Sequence, residues 1–146
     1  MMSDNSLDET KIIDAENSIL GRLASIIAKR LLNGEKIIVL NADKALISGK
    51  KDFIAAKYLR RWRIKTKSNP LKGPFYPRET DQILKRTVRG MLPYHKSRGK
   101  EAYHRLIVYN NFPYQFREKE IEIIPETQRI NPKATYLSLD ELKTKI

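Results

Sequence analysis

The sequence predicts an α/β fold with a small, mostly parallel sheet of about four strands. Between Lys11 and Leu40, short apolar runs rich in β-branched residues alternate with an amphipathic helical pattern, which is typical of strand–helix–strand units. The chain of 146 residues is about the size of one domain. Residues 57–105 are strongly basic and precede the last predicted core strand. A basic helical and loop insertion is therefore expected before that strand.

The first unit is a strand, a helix and a second strand. Lys11–Ala15 reads as a short strand, and Lys36–Leu40 is a continuous apolar run typical of a buried one. Between them Asn33-Gly34 provides a helix stop signal. The apolar residues that recur at helical spacing are Leu20, Leu23, Ala24, Ile27 and Leu31. The order predicts a right-handed crossover and a parallel sheet.

A second helix is predicted over Asp52–Lys65, after a short strand at Ala45–Ile47 and a turn at Ser48–Lys50. Its apolar spacing places Phe53, Ala56, Leu59 and Trp62 toward the interior. Basic residues form two stripes stepping by three or four positions, one of Lys57, Arg61 and Lys65 and the other of Arg60, Arg63 and Lys67. Spacing favours the core for Trp62, and presentation of its ring to a base is the alternative.

Three prolines predict an extended loop over residues 70–77, with Phe75 and Tyr76 between two of them. A third helix is expected over Arg78–Leu92 and ends before Pro93. Its apolar face is formed by Leu84, Thr87, Val88 and Met91. The pattern therefore continues the basic insertion with a second helix.

The remaining pattern contains a basic loop at Tyr94–Lys100, a helical turn through His104 and a core strand at Leu106–Tyr109. Beyond residue 110 the chain reads mostly as loop. Glu120–Ile123 alternates as an exposed strand would, and Ser138–Glu141 forms a capping box that opens a terminal helix.

Composition excludes several classes of protein. The sequence has no cysteine, which rules out disulfides, thiolate zinc sites and cysteine nucleophiles, and its two histidines argue against a histidine metal cage. Charges interrupt every long apolar stretch, so no membrane span is expected. The acidic stretch Met1–Thr10 is unlike a signal peptide and is expected to be flexible. We expect a soluble, cytoplasmic protein without a metal or cofactor.

The charge is concentrated in one third of the chain. Lys and Arg total 29 against 17 acidic residues, a formal charge of +12. Residues 57–105 hold 15 basic and three acidic residues, whereas the rest of the chain holds 14 of each. One contiguous segment thus carries the whole excess, as expected for a surface that binds phosphates.

Two glycine motifs are candidates for nucleotide binding. Ser48-Gly49-Lys50-Lys51 is similar to the end of a phosphate loop, but Lys44 stands where that loop needs glycine, and Lys51 where it needs Ser or Thr. A tight turn that contacts RNA phosphates is the favoured interpretation. Gly21 lacks the partners of a dinucleotide fingerprint and is interpreted as a packing glycine.

His95 and His104, with Lys96 and Glu101 nearby, have the residue types of a metal-free ribonuclease. The favoured alternative is that these histidines contact nucleotides, because histidines and aromatics in strongly basic loops commonly do so. Binding to anionic lipid is a further alternative, but it usually needs apolar anchors on the basic helix. Arginine-rich faces between Gly and Pro loops fit folded RNA better.

Several motifs resemble the large-subunit ribosomal protein thirteen family, in its archaeal and eukaryotic branch. Val88-Arg89-Gly90-Met91-Leu92-Pro93 followed by Gly99-Lys100-Glu101-Ala102 is similar to the family signature. Leu20-Gly21-Arg22-Leu23-Ala24, Val39-Leu40-Asn41-Ala42 and Ile47-Ser48-Gly49 also resemble family segments. The resemblance implies a three-layer α/β/α fold and a non-catalytic structural constituent of the large ribosomal subunit, which binds its RNA and supports subunit assembly and translation.

On this resemblance the whole chain, 1–146, is expected to be one ribosomal RNA-binding domain, with 110–146 as a C-terminal extension. Its expected partners are large-subunit ribosomal RNA and neighbouring ribosomal proteins, without a membrane or small-molecule substrate. Gly90 is expected to let the backbone approach phosphate, and Met91 and Leu92 to dock the segment on the core. The residues expected to bind ribosomal RNA are Lys50, Lys51, Lys57, Arg60, Arg61, Arg63, Lys65, Lys67, Arg86, Arg89, Gly90, Tyr94, His95, Lys96, Arg98 and Lys100.

Overall fold

A computed structural model of the chain describes residues 10–129, 131 and 133–145. The strands are β1 (Thr10–Asp14), β2 (Lys36–Leu40), β3 (Leu46–Ser48), β4 (Leu106–Val108) and β5 (Tyr136–Ser138). The α-helices are α1 (Leu20–Leu32), α2 (Lys51–Trp62), α3 (Thr80–Gly90), α4 (Ser97–His104) and α5 (Leu139–Lys145). The predicted α/β fold is confirmed. Thr10 begins β1, and the rest of the N-terminal stretch expected to be flexible lies outside the described residues.

The strands form one parallel sheet and one antiparallel pair. The parallel sheet has the order β1-β2-β4, and Ile12 lies opposite Ile38 in its register. β3 pairs antiparallel with β5, so the parallel sheet has three strands rather than about four. Gly34, with φ +96°, ends α1 at the predicted stop signal.

The two faces of the parallel sheet are covered differently. Ile13, Val39 and Leu106 belong to the main core, which also contains buried residues of α1 and α3. Ile12, Ile38 and Leu40 form a second apolar cluster with Phe116. Phe116 ends a one-turn 3-10 helix, Tyr114–Phe116. Helices therefore cover one face, whereas an irregular segment covers the other in place of the second helical layer that a three-layer α/β/α fold would have.

The predicted inner face of α2 is wrong. Ile54 is its buried residue, whereas the Phe53 side chain is 71% exposed, Ala56 is exposed and Leu59 is half-buried. Only a narrow part of α2 reaches the main core, because the helix carries few apolar residues and many charges. The helix also ends at Trp62, before Lys65 and Lys67, so the two basic stripes do not continue along one helix.

The other helices of the insertion differ from prediction in detail. Met91 lies just beyond α3 and is 43% exposed, so only Leu92 docks on the core as expected. Much of the predicted basic loop is helical, because α4 begins at Ser97. The predicted strand at Glu120–Ile123 is reduced to a single bridge between Glu122 and Ile13.

The C-terminal segment completes the core. Ser138 caps α5 as predicted, because its Oγ accepts a hydrogen bond from the Glu141 backbone N–H at 3.2 Å. Leu137, Leu139 and Leu142 are fully buried in the main core. Three ion pairs connect α5 to α2 and to the residue before α3: Lys51 Nζ to Glu141 Oε2 at 2.9 Å, Lys145 Nζ to Asp52 Oδ1 at 3.8 Å, and Lys143 Nζ to Glu79 Oε2 at 2.7 Å. No helix in the described ranges is long and apolar enough to cross a membrane.

Candidate nucleic-acid interface

A groove of about 460 Å³ opens between α2 and α3. The start of α1 and strand β3 form its floor, and Tyr76 and Pro77 of the loop before α3 lie at its edge. The lining residues are Ile19, Leu20, Gly21, Leu46, Ile47, Ser48, Lys57, Tyr58, Arg61, Tyr76, Pro77, Ile83, Arg86, Thr87, Arg89 and Gly90. Five of these residues were predicted to bind RNA, so the groove brings together predicted sites from two separate helices.

Four cations converge on this groove. Lys57 and Arg61 lie one turn apart on α2, and Arg86 and Arg89 lie one turn apart on α3. Residues three or four positions apart share a helix face, so each helix presents its pair to the same space. None of the described residues that line the groove is acidic. The groove therefore attracts anions.

Aromatic rings lie against several of these cations. The Arg61 guanidinium lies 5.3 Å from the centre of the Tyr58 ring, and the Arg89 guanidinium lies 5.2 Å from that of Tyr94. Lys100 Nζ lies 6.0 Å from the centre of the same Tyr94 ring. Burial raises the pKa of Tyr58, and the Arg61 charge acts in the opposite direction. These contacts restrict the arginine side chains while leaving them beside the groove.

Trp62 belongs to a second, smaller cavity of about 200 Å³ formed with the proline-rich loop. Its indole Nε1 donates to the Pro77 carbonyl oxygen at 3.2 Å, and the Arg78 guanidinium lies 5.6 Å from its ring centre. Lys65, predicted to bind RNA, lines the same cavity. Trp62 is half-buried and lies outside the main core. The predicted core position is therefore wrong, because the loop rather than the core covers the ring.

Three predicted cations surround the start of α4. Lys96 is the N-cap residue, and Arg98 and Lys100 lie in the first turns. The N-terminus of a helix carries partial positive charge, so three cations there repel the helix dipole as well as one another. No acidic residue lies in that first turn. A phosphate placed at this end would relieve the repulsion.

The other predicted residues are distributed around these features. Lys50 is the N-cap residue of α2, and Lys51 is paired with Glu141, at the opposite end of the helix from Arg61. Four more predicted residues are exposed and line neither cavity: Arg60, Arg63, Lys67 and His95. The structure thus brings together the central part of the predicted set and leaves Lys50 and Lys51 apart from it.

The two histidines lie toward opposite ends of α4. His95 precedes the helix and His104 is its last residue, and both are exposed. An eight-residue helix is about 12 Å long, which is too far for an acid and a base to act on one bond. Among the described residues, no group of three or more His, Asp or Glu is arranged to hold a metal ion.

Gly21 does not pack against the protein. A Cβ at Gly21 would meet no atom of the residues that the structure describes within 4 Å, and the same is true of Gly90. The interpretation of Gly21 as a packing glycine is therefore wrong. Both glycines are exposed on helices and line the groove, which leaves their backbone open to a partner.

Sequence reasoning missed several residues of this surface. Tyr58 and Tyr76 line the groove, Arg78 lies over Trp62, and Lys85 Nζ lies 5.0 Å from the Tyr103 ring centre. Tyr58 precedes Arg61 by three helical positions, a spacing that could have indicated their contact. No such signal exists for Arg78, because its partner lies on the far side of a loop.

The fold and this surface define a class, a small basic α/β protein whose excess cations are gathered around one groove and the adjoining helices. A family model described as ribosomal protein L13 matches residues 8–115. The chain belongs to the ribosomal protein L13 family. The predicted family is thereby confirmed, and membership of a ribosomal protein family confirms the expectation of a structural rather than an enzymatic protein.

Relatives from three archaea support the assignment, and each is named large ribosomal subunit protein uL13. The Methanopyrus kandleri protein is 50% identical over 115 residues, which cover 79% of this chain and 70% of the relative. The Archaeoglobus fulgidus protein is 44% identical over 137 residues, covering 92% and 86%. The Methanosphaera stadtmanae protein is 49% identical over 121 residues, covering 82% and 85%.

Proposed function

We propose that this protein is a structural constituent of the large ribosomal subunit that binds and stabilises large-subunit ribosomal RNA. The observation that supports this role most directly is the convergence of Lys57, Arg61, Arg86 and Arg89 on one groove. The names of the relatives support the same assignment. The protein then acts in the cytoplasm, beside neighbouring large-subunit proteins, and supports subunit assembly and translation.

The proposed binding surface combines three features of the insertion. The groove supplies four cations, the start of α4 supplies three more, and the loop around Trp62 supplies exposed rings such as Phe75. Cations beside aromatic rings suit RNA, because phosphates take the charge while bases stack on the rings. The surface lies on one domain, 1–146, whose C-terminal extension completes the core.

Salt-dependent binding tests this function. The full chain would be titrated with a large-subunit ribosomal RNA transcript in filter-binding assays at several salt concentrations. Each neutralised phosphate releases roughly 0.7 to 0.9 counterions, so several contacts should give a log–log slope steeper than about −3. A shallower slope would show that the basic surface is mostly solvated and would contradict the proposal.

Sedimentation of a cell extract tests the location. The protein should travel with large subunits through a wash at moderate salt, because many phosphate contacts hold it there. A mainly free pool would contradict a constituent of the subunit.

A further inference from the structure

The groove between α2 and α3 has an apolar floor beneath its cations. Ile83 is buried in the core, whereas Ile19, Leu46 and Ile47 are only partly buried where they line the groove. The Tyr76 side chain at the groove edge is 41% exposed. A site that only neutralised phosphates would not need an apolar floor, so this groove is suited to a ligand with both an apolar and an anionic part.

Two glycines in helices open the groove further. Gly21 lies in α1 and Gly90 ends α3, and neither has the positive φ that would require glycine. Glycine is less favourable than alanine in an exposed helix, and a Cβ at either position would meet no atom of the described residues within 4 Å. Nothing in the part of the chain that the structure describes explains these two glycines. A partner that approaches the helix backbone closely would explain both.

We propose that the groove accepts one unpaired nucleotide of RNA. Its base lies on the apolar floor beside Tyr76, and its flanking phosphates contact the arginines of α3 and the cations of α2. This inference deepens the proposed function and rests on it. The volume of about 460 Å³ lies within the usual range for small-molecule sites and therefore suits a single nucleotide.

An unpaired nucleotide fits the groove better than a duplex does. In a paired A-form helix the bases are stacked inside, and proteins contact mainly its phosphates and 2′-hydroxyls. A duplex would therefore leave the apolar floor uncovered. An unpaired base can turn outward and stack on an aromatic ring, which would place apolar and anionic parts of one nucleotide in the same groove.

A segment of another protein fits less well. The groove presents four cations, and none of its described lining residues is acidic. An apolar peptide would supply no anion to Arg61, Arg86 and Arg89. RNA provides a phosphate at every nucleotide, so its negative charge complements the four cations of the groove at any position along the strand.

Ultraviolet cross-linking tests the proposal on the full chain bound to a large-subunit ribosomal RNA transcript. Total affinity is measured by filter binding, and mass spectrometry and reverse-transcription stops identify the joined peptide and nucleotide. Gly21→Leu fills the groove from an exposed helical position. Ala56→Leu is the matched control, because Ala56 is exposed on α2 and lines neither cavity. Thermal unfolding of both variants shows that they are folded.

We expect Tyr58 or Tyr76 to cross-link to an unpaired nucleotide. Gly21→Leu should abolish this cross-link and lower affinity roughly tenfold, within the range for a lost stacked base, while Ala56→Leu changes neither. Tight binding of the transcript with cross-links only to paired nucleotides would overturn the proposed unpaired nucleotide and leave the proposed function intact. If Gly21→Leu and Ala56→Leu had equal affinity and equal cross-linking, the unpaired nucleotide would likewise be overturned and the proposed function would stand.

Two further outcomes separate the alternatives. The same irradiation of whole large subunits should also cross-link Tyr58 or Tyr76 to RNA. A cross-link from either tyrosine to a neighbouring ribosomal protein would instead show that a peptide occupies the groove and would overturn the proposal. Failure of the wild-type chain to bind the transcript at all would contradict the proposed function, and the inference with it.

Discussion

The backbone at Gly99 lies against the carbonyl group of Pro93. A Cβ at position 99 would lie 2.0 Å from the Pro93 oxygen and 2.9 Å from the Tyr94 nitrogen, closer than nonbonded atoms approach. Contact with main chain leaves no flexible side chain to move aside. The first turn of α4 is thereby held against the turn that carries Tyr94, whose ring contacts Arg89 and Lys100.

Gly99→Ala should therefore destabilise the protein. The added methyl group forces α4 away from Pro93, and overpacking of this kind costs roughly 1 to 3 kcal/mol. Denaturant unfolding measures the loss. Gly90→Ala is the matched control, because its Cβ meets no atom within 4 Å, and it should be neutral or stabilise by up to about 1 kcal/mol. Equal stability of the two variants would refute the close contact.

Charge reversal at Arg61 or Arg89 should weaken RNA binding while leaving the fold intact. Loss of hydrogen bonds to charged groups typically costs roughly 1.5 to 3 kcal/mol. Both side chains are partly exposed beside tyrosine rings, so their loss should cost less than about 1 kcal/mol of stability. Filter binding of Arg61→Glu and Arg89→Glu to a ribosomal RNA transcript checks the effect.

Lys36→Glu provides the control for total charge in this experiment, because Lys36 is exposed at the start of β2. It should weaken binding less than either arginine variant. An equal loss in all three would show that total charge, rather than the groove, determines affinity. Unfolding of Arg61→Glu or Arg89→Glu would instead show that these side chains support the fold.

The Arg30–Glu122 ion pair should make the free energy of unfolding depend on pH. The two terminal guanidinium nitrogens of Arg30, Nη1 and Nη2, donate to the two carboxylate oxygens of Glu122 at 2.8 and 2.7 Å. The hydrogen bonds from Arg30 lower the pKa of Glu122 from its usual value near 4.5. A carboxyl whose pKa is lowered on folding stabilises the native state above its unfolded pKa, and the contribution disappears as pH falls through the folded value.

Glu122→Gln should therefore reduce the free energy of unfolding at pH 7 by up to about 1 kcal/mol, a small effect because both side chains are partly exposed. In strong acid the variant and the wild type should have equal stability. Glu118→Gln at an exposed position serves as the control and should show no such dependence. A difference that stayed constant down to strong acid would contradict the predicted linkage.

Replacement of either histidine should affect binding and not catalysis. Because His95 and His104 lie toward opposite ends of α4, we expect purified wild-type protein to leave RNA intact. His95→Gln and His104→Gln should each lower affinity by at most roughly 1 to 3 kcal/mol, the range for a lost stacking partner. Gel analysis of incubated RNA gives the result. Wild-type cleavage that disappears in both variants would establish an acid–base pair.

Local patterns predicted the first part of the fold well. Local apolar runs place β1 and β2 within about one residue, and the Asn33-Gly34 signal marks the end of α1, because each signal is contained in the segment it describes. The predictions fail where residues far apart in the sequence determine how an element packs. β3 leaves the parallel sheet because its partner is β5, and no local pattern encodes that pairing.

The groove was predictable in its cations but not in its shape. Helical spacing indicated that Lys57 and Arg61 share one face of α2, and Arg86 and Arg89 lie three positions apart on α3, so each pair depends on one helix. Their convergence depends on the packing of α2 and α3, which sequence spacing does not contain. The prediction for Trp62 is wrong for a similar reason. Its indole donates a hydrogen bond to Pro77, at the end of a proline-rich loop whose conformation has no periodic sequence signal.

The pairing of β3 with β5 makes closure of the core depend on a segment that is translated long after β3. β3 joins residues near 46 to residues near 138, and Lys51 reaches Glu141 across 90 positions. Leu137, Leu139 and Leu142 must therefore leave the tunnel of the translating ribosome before the main core can close. Until then α2 lacks its contacts with α5, so the nascent chain displays its positive charges on an unfinished surface. The proposed RNA-binding groove can therefore reach its final geometry only after α5 has been translated.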